Sequence, residues 1–289
     1  MQTIFADLMR SINPKDLEIP QLHQFLLGSV GPRPICFAST IDKEGNKNLA
    51  PFSFFNVFSA NPPILVFSPA RSGRTGVSKD TFLNCKEVPE VVINIVNYAM
   101  VEQVSLASSP YPKGVDEFVK AGFTAVDSDM VKPARVAESP IQLECKVNEI
   151  VELGQGGGAG NLVICEVLKL HIREELIDEK GHIIPQKLDL VARMGGNYYC
   201  RANGDALFEI PKPLTTIGVG VDVLPDKIKK SEFLSGNDLG KIGQMEKLAT
   251  PDELAETPIM KKTEALAQAK KLLHENKTEE AYKLLLKNL

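Results

Sequence analysis

The sequence predicts a mainly β protein with added helices and a C-terminal helical extension. Three observations carry this. Strand-like runs separated by turn clusters dominate residues 35–98. Two further β-rich runs, 141–152 and 161–173, flank a glycine-rich connection. From residue 261 onward, apolar residues recur at helical spacing instead.

Residues 1–30 read as a short lead-in, in which Asn13-Pro14 and Pro20 break any early helix. A strand over 35–41 leads into the turn Asp42-Lys43-Glu44-Gly45-Asn46, an Asp/Gly hairpin signal. The next strand runs over 48–58, and Pro51 assigns it to an edge or a bulge. Short apolar strands follow over 64–67 and 91–96. Residues 79–86 read as a short helix with Asp80 and Thr81 near its start, which suits both capping and an anion at the helix N-terminus. Helices over 100–107 and 115–121 come next, the second stopped by Gly122. The run Gly154 to Gly160 is a flexible hairpin connection. It lacks the Lys-Ser/Thr ending of a phosphate loop, and a strand rather than a helix follows it.

The domain boundaries expected are 1–211 for the β domain, 212–257 for an extended arm with one or two short helices, and 258–289 for a helical hairpin. The hairpin breaks at Asn276-Lys277, with a cap region at Thr278, and resembles half of a tetratricopeptide-like unit.

Composition excludes several classes. The 289 residues are 43% hydrophobic and 24% charged, as in an ordinary globular chain. A net charge of −4 argues against a general nucleic-acid binder. No apolar run of about 18 residues exists, so no membrane span is expected. The first residues lack the pattern of a signal peptide. Five cysteines without C-x-x-C spacing fit neither a disulfide framework nor a zinc site. They read as buried thiols in a reducing cytoplasm, and no metal is expected.

Residues 32–81 are crowded with Ser, Thr, Asn, Phe and fixed cations. Such groups suit a flat polar ring system with a phosphate tail. The set Ser39-Thr40, Asp42, Gly45, Asn48, Ala50-Pro51, Ser53, Phe55, Ser59, Pro62-Pro63, Ser68, Lys79-Asp80-Thr81 and Asn84 resembles the flavin reductase-like family. Downstream pieces are similar too: Gly114 to Phe118, Ala121 to Thr124, Ala137 to Cys145, and Ala192 to Gly196 with Tyr198-Tyr199. The resemblance covers residues 28–211. It implies an FMN-binding split β-barrel, a six-stranded antiparallel Greek key with added helices, working as a homodimer with FMN near the subunit interface.

On that resemblance, the FMN phosphate would be met by Lys79, the Thr81 hydroxyl and the amides of Asp80 and Thr81, with Ser68 and Arg71 as further ligands. Ser53, Phe54, Phe55 and Asn56 resemble the ring-binding segment, and Arg33 would neutralise charge at N1 or O2. His171 is the histidine best placed for function, while His23, His182 and His274 read as surface residues. The chemistry would be carried by FMN rather than by a catalytic side chain.

One departure stands out. Many short-chain members carry Gly-Asp-His where this chain reads Ala159-Gly160-Asn161. Three functions stay open: an NAD(P)H-dependent flavin oxidoreductase, a flavoredoxin-like electron carrier with bound FMN, and a ligand-binding module with a recruiting tail. The first two would pass electrons to a protein acceptor or an oxygenase. No dinucleotide-binding fingerprint is present.

Overall fold

The computed structural model describes residues 9–289, which divide after Phe208 into two compact units. No helix among the described residues is long and apolar enough to cross a membrane.

The first unit opens with an unexpected helix, α1 (Ile19–Ser29). Pro20 does not break it. The proline occupies the first turn, where the N–H it lacks has no intrahelical acceptor. A two-residue strand, β1 (Arg33–Pro34), and β2 (Cys36–Ile41) follow. The predicted turn joins β2 to β3 (Lys47–Phe52), with Gly45 at φ 87° and Asn46 donating its amide to the Asp42 carboxylate at 2.8 Å.

Next come β4 (Phe55–Ala60), β5 (Pro63–Phe67), α2 (Asp80–Glu87), β6 (Glu90–Ile95), α3 (Val101–Ala107) and α4 (Glu117–Ala121). Gly122 caps α4 in the left-handed region, as its position predicts. The long hairpin of β7 (Ile141–Glu152) and β8 (Asn161–Ile172) follows. Short strands β9 (Val191–Arg193) and β10 (Tyr199–Arg201) join β1 in a small sheet of their own.

The main sheet has seven strands in the order β3-β2-β6-β7-β8-β5-β4, antiparallel throughout. Its two edge strands, β3 and β4, are consecutive in the chain and joined only by Ser53 and Phe54. Three Cα–Cα steps reach at most about 11 Å. The sheet therefore curls until its edges approach each other, leaving a barrel that is split along that seam. The single strand expected over 48–58 is thus two strands, which pair with β2 and β5 respectively rather than with each other. Pro51 sits on an edge strand, where its missing N–H removes no ladder bond on the open side.

Alternation along β2 builds two cores. Cys36 and Ala38 point into a cluster with Phe67, Ile93, Cys145, Val163 and Cys165. Phe37 points the other way, against Val104, Phe118 and Phe123 from the region of α3 and α4. Four of the five cysteines are buried and all are free; burial pushes Cys85 and Cys145 up to about 12, so these thiols stay protonated.

The second unit corrects the expected arm. Residues 212–257 carry three short helices, α5 (Asp226–Lys229), α6 (Gly236–Gly243) and α7 (Pro251–Ala255). Leu224, Ile228, Leu234, Ile242 and Met245 share one core with Leu273, Tyr282 and Leu285 of the hairpin α8 (Lys262–His274) and α9 (Thr278–Asn288). Periodicity exposed the hairpin but not these apolar residues, which sustain no helical period among glycine, proline, polar and charged neighbours. Thr278 is the first helical residue of α9 rather than its cap, which is Lys277. Lys241 donates to Leu273 O at 2.7 Å and Asn276 Oδ1 at 3.0 Å, closing the end of α8.

Leu285→Ala is expected to destabilise the second unit by about 3 kcal/mol, as for a fully buried leucine whose site cannot collapse. Urea denaturation read by hydrogen exchange over residues 262–288 checks this.

Candidate functional site

The seam of the split barrel opens into a cleft of about 350 Å³. Phe52, Ser53 and Phe54 form one end of its lining, and Lys79, Asp80 and Thr81 contribute from α2. His23 and Leu27 of α1 and the segment Ser108 to Tyr111 after α3 complete its walls.

The α2 end is built to donate. Lys79 is the N-cap, and the first helical bond runs from Phe82 N to Lys79 O at 3.0 Å. The amides of Asp80 and Thr81 precede it and so lack an intrahelical acceptor. The Thr81 hydroxyl is buried and accepts from Asn48 Nδ2 at 2.9 Å. Asn48 and Asn84 both donate to Thr40 Oγ1, at 3.3 and 3.1 Å. With its acceptor side occupied, the Thr81 hydroxyl keeps its hydrogen to give. Ser68 is in the same position: its oxygen accepts from Asn161 N at 3.1 Å.

The seam end is aromatic. Phe54 is part-exposed, with the His23 ring edge-on to it at 6.4 Å. Its carbonyl accepts from Ser68 N at 2.8 Å, which ties the seam to the end of β5. Phe52 leans on Phe67 at 5.7 Å, so the backing of the seam is core.

Of the residues singled out in the sequence, Ser53, Phe54, Ser68, Lys79, Asp80 and Thr81 line this cleft together. The other four do not. Phe55 turns inward against the barrel core. Asn56 is exposed on β4, its carboxamide oxygen taken by the Val57 amide at 2.8 Å. Arg71 is bound to Glu152 and Gln155, both at 3.1 Å, and its backbone pairs with Ala159 and Gly158. It fastens the glycine-rich connection to the run before α2, and a Cβ on Gly157 would lie 3.0 Å from Gly73 O.

Arg33 is buried and gives its guanidinium to Leu27 O at 2.7 Å, Val30 O and Met194 O at 3.0 Å. Burial, then nearby Arg193, lowers its pKa. It closes the C-terminus of α1 and reaches the cleft only through Ser53 Oγ, at 3.5 Å.

His171 stands outside the cleft lining. Its Nε2 lies 2.6 Å from Oε1 of Glu144, a fully buried carboxylate that also accepts from the amides of Asp129 (2.9 Å) and Met130 (2.6 Å). Asp129, Glu144 and His171 bring ligand atoms within 4.8 Å of one another, as a metal would require. Lys169 pairs with Asp129, and Arg135 lies 3.9 Å from Glu144, so fixed cations already balance the two carboxylates. The cluster is a clamp on the 128–133 loop.

Two cleft groups were hidden in the sequence. His23 is exposed, as a surface residue should be, yet α1 carries it to the cleft wall. Glu117 of α4 accepts from Leu49 N at 2.9 Å and faces the α2 end. Burial raises its pKa against the opposing Leu49 bond, and Asp116 and Asp80 push the same way as burial. His23 sits in no chemical motif, and Glu117 lies in the run Gly114 to Phe118 without being singled out there; the fold brings both to the cleft.

A wider open groove of about 1020 Å³ lies in the second unit, lined mainly by lysine, glutamate and small polar side chains. It has no set of fixed donors comparable to that at α2.

Comparison with known proteins agrees with this architecture. Residues 28–188 match the flavin reductase like domain family. A protein of Halalkalibacterium halodurans is 38% identical over 190 residues, covering 65% of this chain and 90% of its own. Nitrilotriacetate monooxygenase component B from Bacillus cereus superposes with a TM-score of 0.65 at 31% identity, over 70% of this chain and 98% of that one. The 2-nitrobenzoate 2-nitroreductase of Pseudomonas fluorescens gives 0.63 at 30% identity, over 72% of this chain and all of that one.

Glu144 offers a test of the clamp. Burial alone would raise its pKa, but the Asp129 and Met130 amides and His171 together hold it below the usual carboxylate range. Its contribution is therefore complete above the unfolded glutamate pKa of about 4.3 and is lost as pH falls through the lower folded value. Thermal melts from pH 3 to 7 should show a shallower acid limb for Glu144→Gln. Glu144→Ala, which strands the clamped groups, should lose about 3 kcal/mol at neutral pH.

Proposed function

Because the chain belongs to the flavin reductase-like family, we propose that it holds FMN in this cleft and acts as an NAD(P)H-dependent flavin oxidoreductase. The observation that carries the reading is the meeting of two unlike ends in one cleft. Uncommitted donors gather at the start of α2, and the part-exposed Phe54 ring lies at the seam.

The donor set fits the cofactor. A phosphate monoester wants charge-assisted donors and a helix N-terminus. Lys79, the hydroxyls of Thr81 and Ser68, and the amides of Asp80 and Thr81 are of that kind. An isoalloxazine ring wants an apolar face with hydrogen bonds at its rim, which Phe54 and the polar groups of Ser53 would give. When bound, FMN would supply the N5 position that accepts hydride. The protein's own work is to fix the phosphate, set the ring against the seam and leave one side of the cleft open to a nicotinamide.

A flavoredoxin-like electron carrier is the second reading, and one observation favours it. At Ala159-Gly160-Asn161 no imidazole is present, and the side-chain Nδ2 of Asn161 donates to Pro69 O at 2.9 Å. What is left unpaired there is the buried Asn161 carboxamide oxygen, an acceptor and not an imidazole.

The functional form in this reading is a homodimer. Val57 and Phe58 on the edge strand β4 are 64% and 67% exposed, an apolar patch on an unpaired sheet edge that a second copy would cover. Electrons would leave to a protein acceptor, an oxygenase component among the candidates.

An anaerobic visible spectrum of the FMN-loaded protein, taken before and after NADH or NADPH, separates the readings. Bleaching of the flavin band within seconds is the expected result. A spectrum that stays oxidised until dithionite is added identifies the electron carrier. Lys79→Ala combined with Thr81→Ala should weaken FMN binding at least a hundredfold, as loss of two charge-assisted bonds implies, with the fold retained. An unchanged FMN titration would overturn the phosphate assignment.

A further inference from the structure

We propose that Glu117, seconded by Asp80, makes this cleft select a flavin ending in a single phosphate over a dinucleotide flavin. The inference rests on the flavin reading above and assigns a role to a carboxylate that the reading does not use.

Glu117 faces the same end of the cleft as Lys79 and Thr81. A carboxylate beside an anion-binding set is unusual chemistry, since like charges there repel. The side chain is also fixed. Leu49 N–H holds its Oε2 at 2.9 Å, so it cannot readily swing out to solvent when an anion arrives. Asp80 adds a second carboxylate on the same lining.

Beyond these two groups the space closes. Asn48, Asp80 and Glu117 are shared with an adjoining recess of only about 20 Å³. That leaves room for about one ordered water and not for a phosphate group. Asp42 lines the recess too, with its carboxylate bound by Asn46 at 2.8 Å, and so do Lys47 and Lys113. A phosphate monoester can sit on the α2 amides with Lys79 and go no further. A diphosphate carries additional negative charge past that point. It would meet Glu117 and Asp80 with Lys79 already engaged, and the recess cannot admit it.

The donors set affinity for the first phosphate, and the carboxylates set the limit on the second. An uncharged tail would feel neither. The role is one of specificity, and it predicts a pattern across ligands rather than a general loss of binding.

Flavin fluorescence titrations with FMN, FAD and riboflavin on the full-length chain test this. Wild-type protein should prefer FMN to FAD by tenfold or more. Glu117→Gln keeps an oxygen for Leu49 N–H and removes the charge, so it should narrow that preference about tenfold while leaving riboflavin affinity unchanged. Asp80→Asn should shift the preference the same way by a smaller factor. An FMN-to-FAD ratio identical in wild type and both variants overturns the proposal, as does a wild type that binds FAD as tightly as FMN. A wild type that binds none of the three flavins overturns the flavin reading itself, a result that ratios among bound flavins cannot mimic.

Discussion

The short tether between the two edges of one sheet governs this structure. A seven-stranded antiparallel sheet normally ends in two distant, unpaired edges. Here the edges are neighbours in sequence, separated by Ser53 and Phe54 alone. Curling is the only way to satisfy that connection. It puts the inner faces of β2, β6, β7 and β8 around one core, with Cys36, Val91, Cys145 and Cys165 fully buried. The same curl leaves a seam where two residues fall outside any ladder. The cleft forms there because it is the one line along which the barrel wall is not closed by strand pairing.

A seam is a weak place, and buried polar groups hold it from several sides. Arg33 binds carbonyls from α1 and from Met194, which brings the first helix and the small β1-β9-β10 sheet up to Ser53. Arg71 and the glycine-rich connection hold the run that leads to α2. Thr40, Asn48, Thr81 and Asn84 form a buried hydrogen-bonded chain between β2, β3 and α2. Buried polar networks are stabilising only when every member is satisfied. This one leaves the Thr81 hydroxyl hydrogen over, at the cleft, where a ligand can take it.

Much of this was legible in the sequence, and the losses have identifiable causes. Strand and helix patterns located β2, β5, β6, the β7-β8 hairpin and α2 to within a residue or two, because alternation and turn chemistry act locally. The break at Ser53-Phe54 was not legible: Phe52, Phe54 and Phe55 look like one continuing strand until the sheet order is known. Pro20 reads as a breaker and is a helix starter; only the residues downstream decide between the two. Lys79 to Thr81 announced itself by cap chemistry. Arg33 and Arg71 did not reveal their partners, since an arginine's carbonyl or carboxylate acceptors are set by tertiary folding. His23 reaches the cleft from a helix with no chemical signature, and Glu117 lies in a family-like run that did not reveal which way its carboxylate would face.

Charge distribution at the site follows from these placements. Of the three cations first assigned to the ligand, Arg33 and Arg71 are engaged by protein oxygens, and Lys79 alone lines the cleft. Two carboxylates stand near it. On the flavin reading, an anion at the α2 end would find little net positive charge and would be held through oriented, mostly neutral donors: hydroxyls and helix-start amides. Oriented dipoles act over a shorter range than net charge does, so they reward an anion placed at one point and give little to one displaced from it. A site made this way would discriminate by position and by the number of charges, where a cluster of arginines would accept any phosphate chain that reached it.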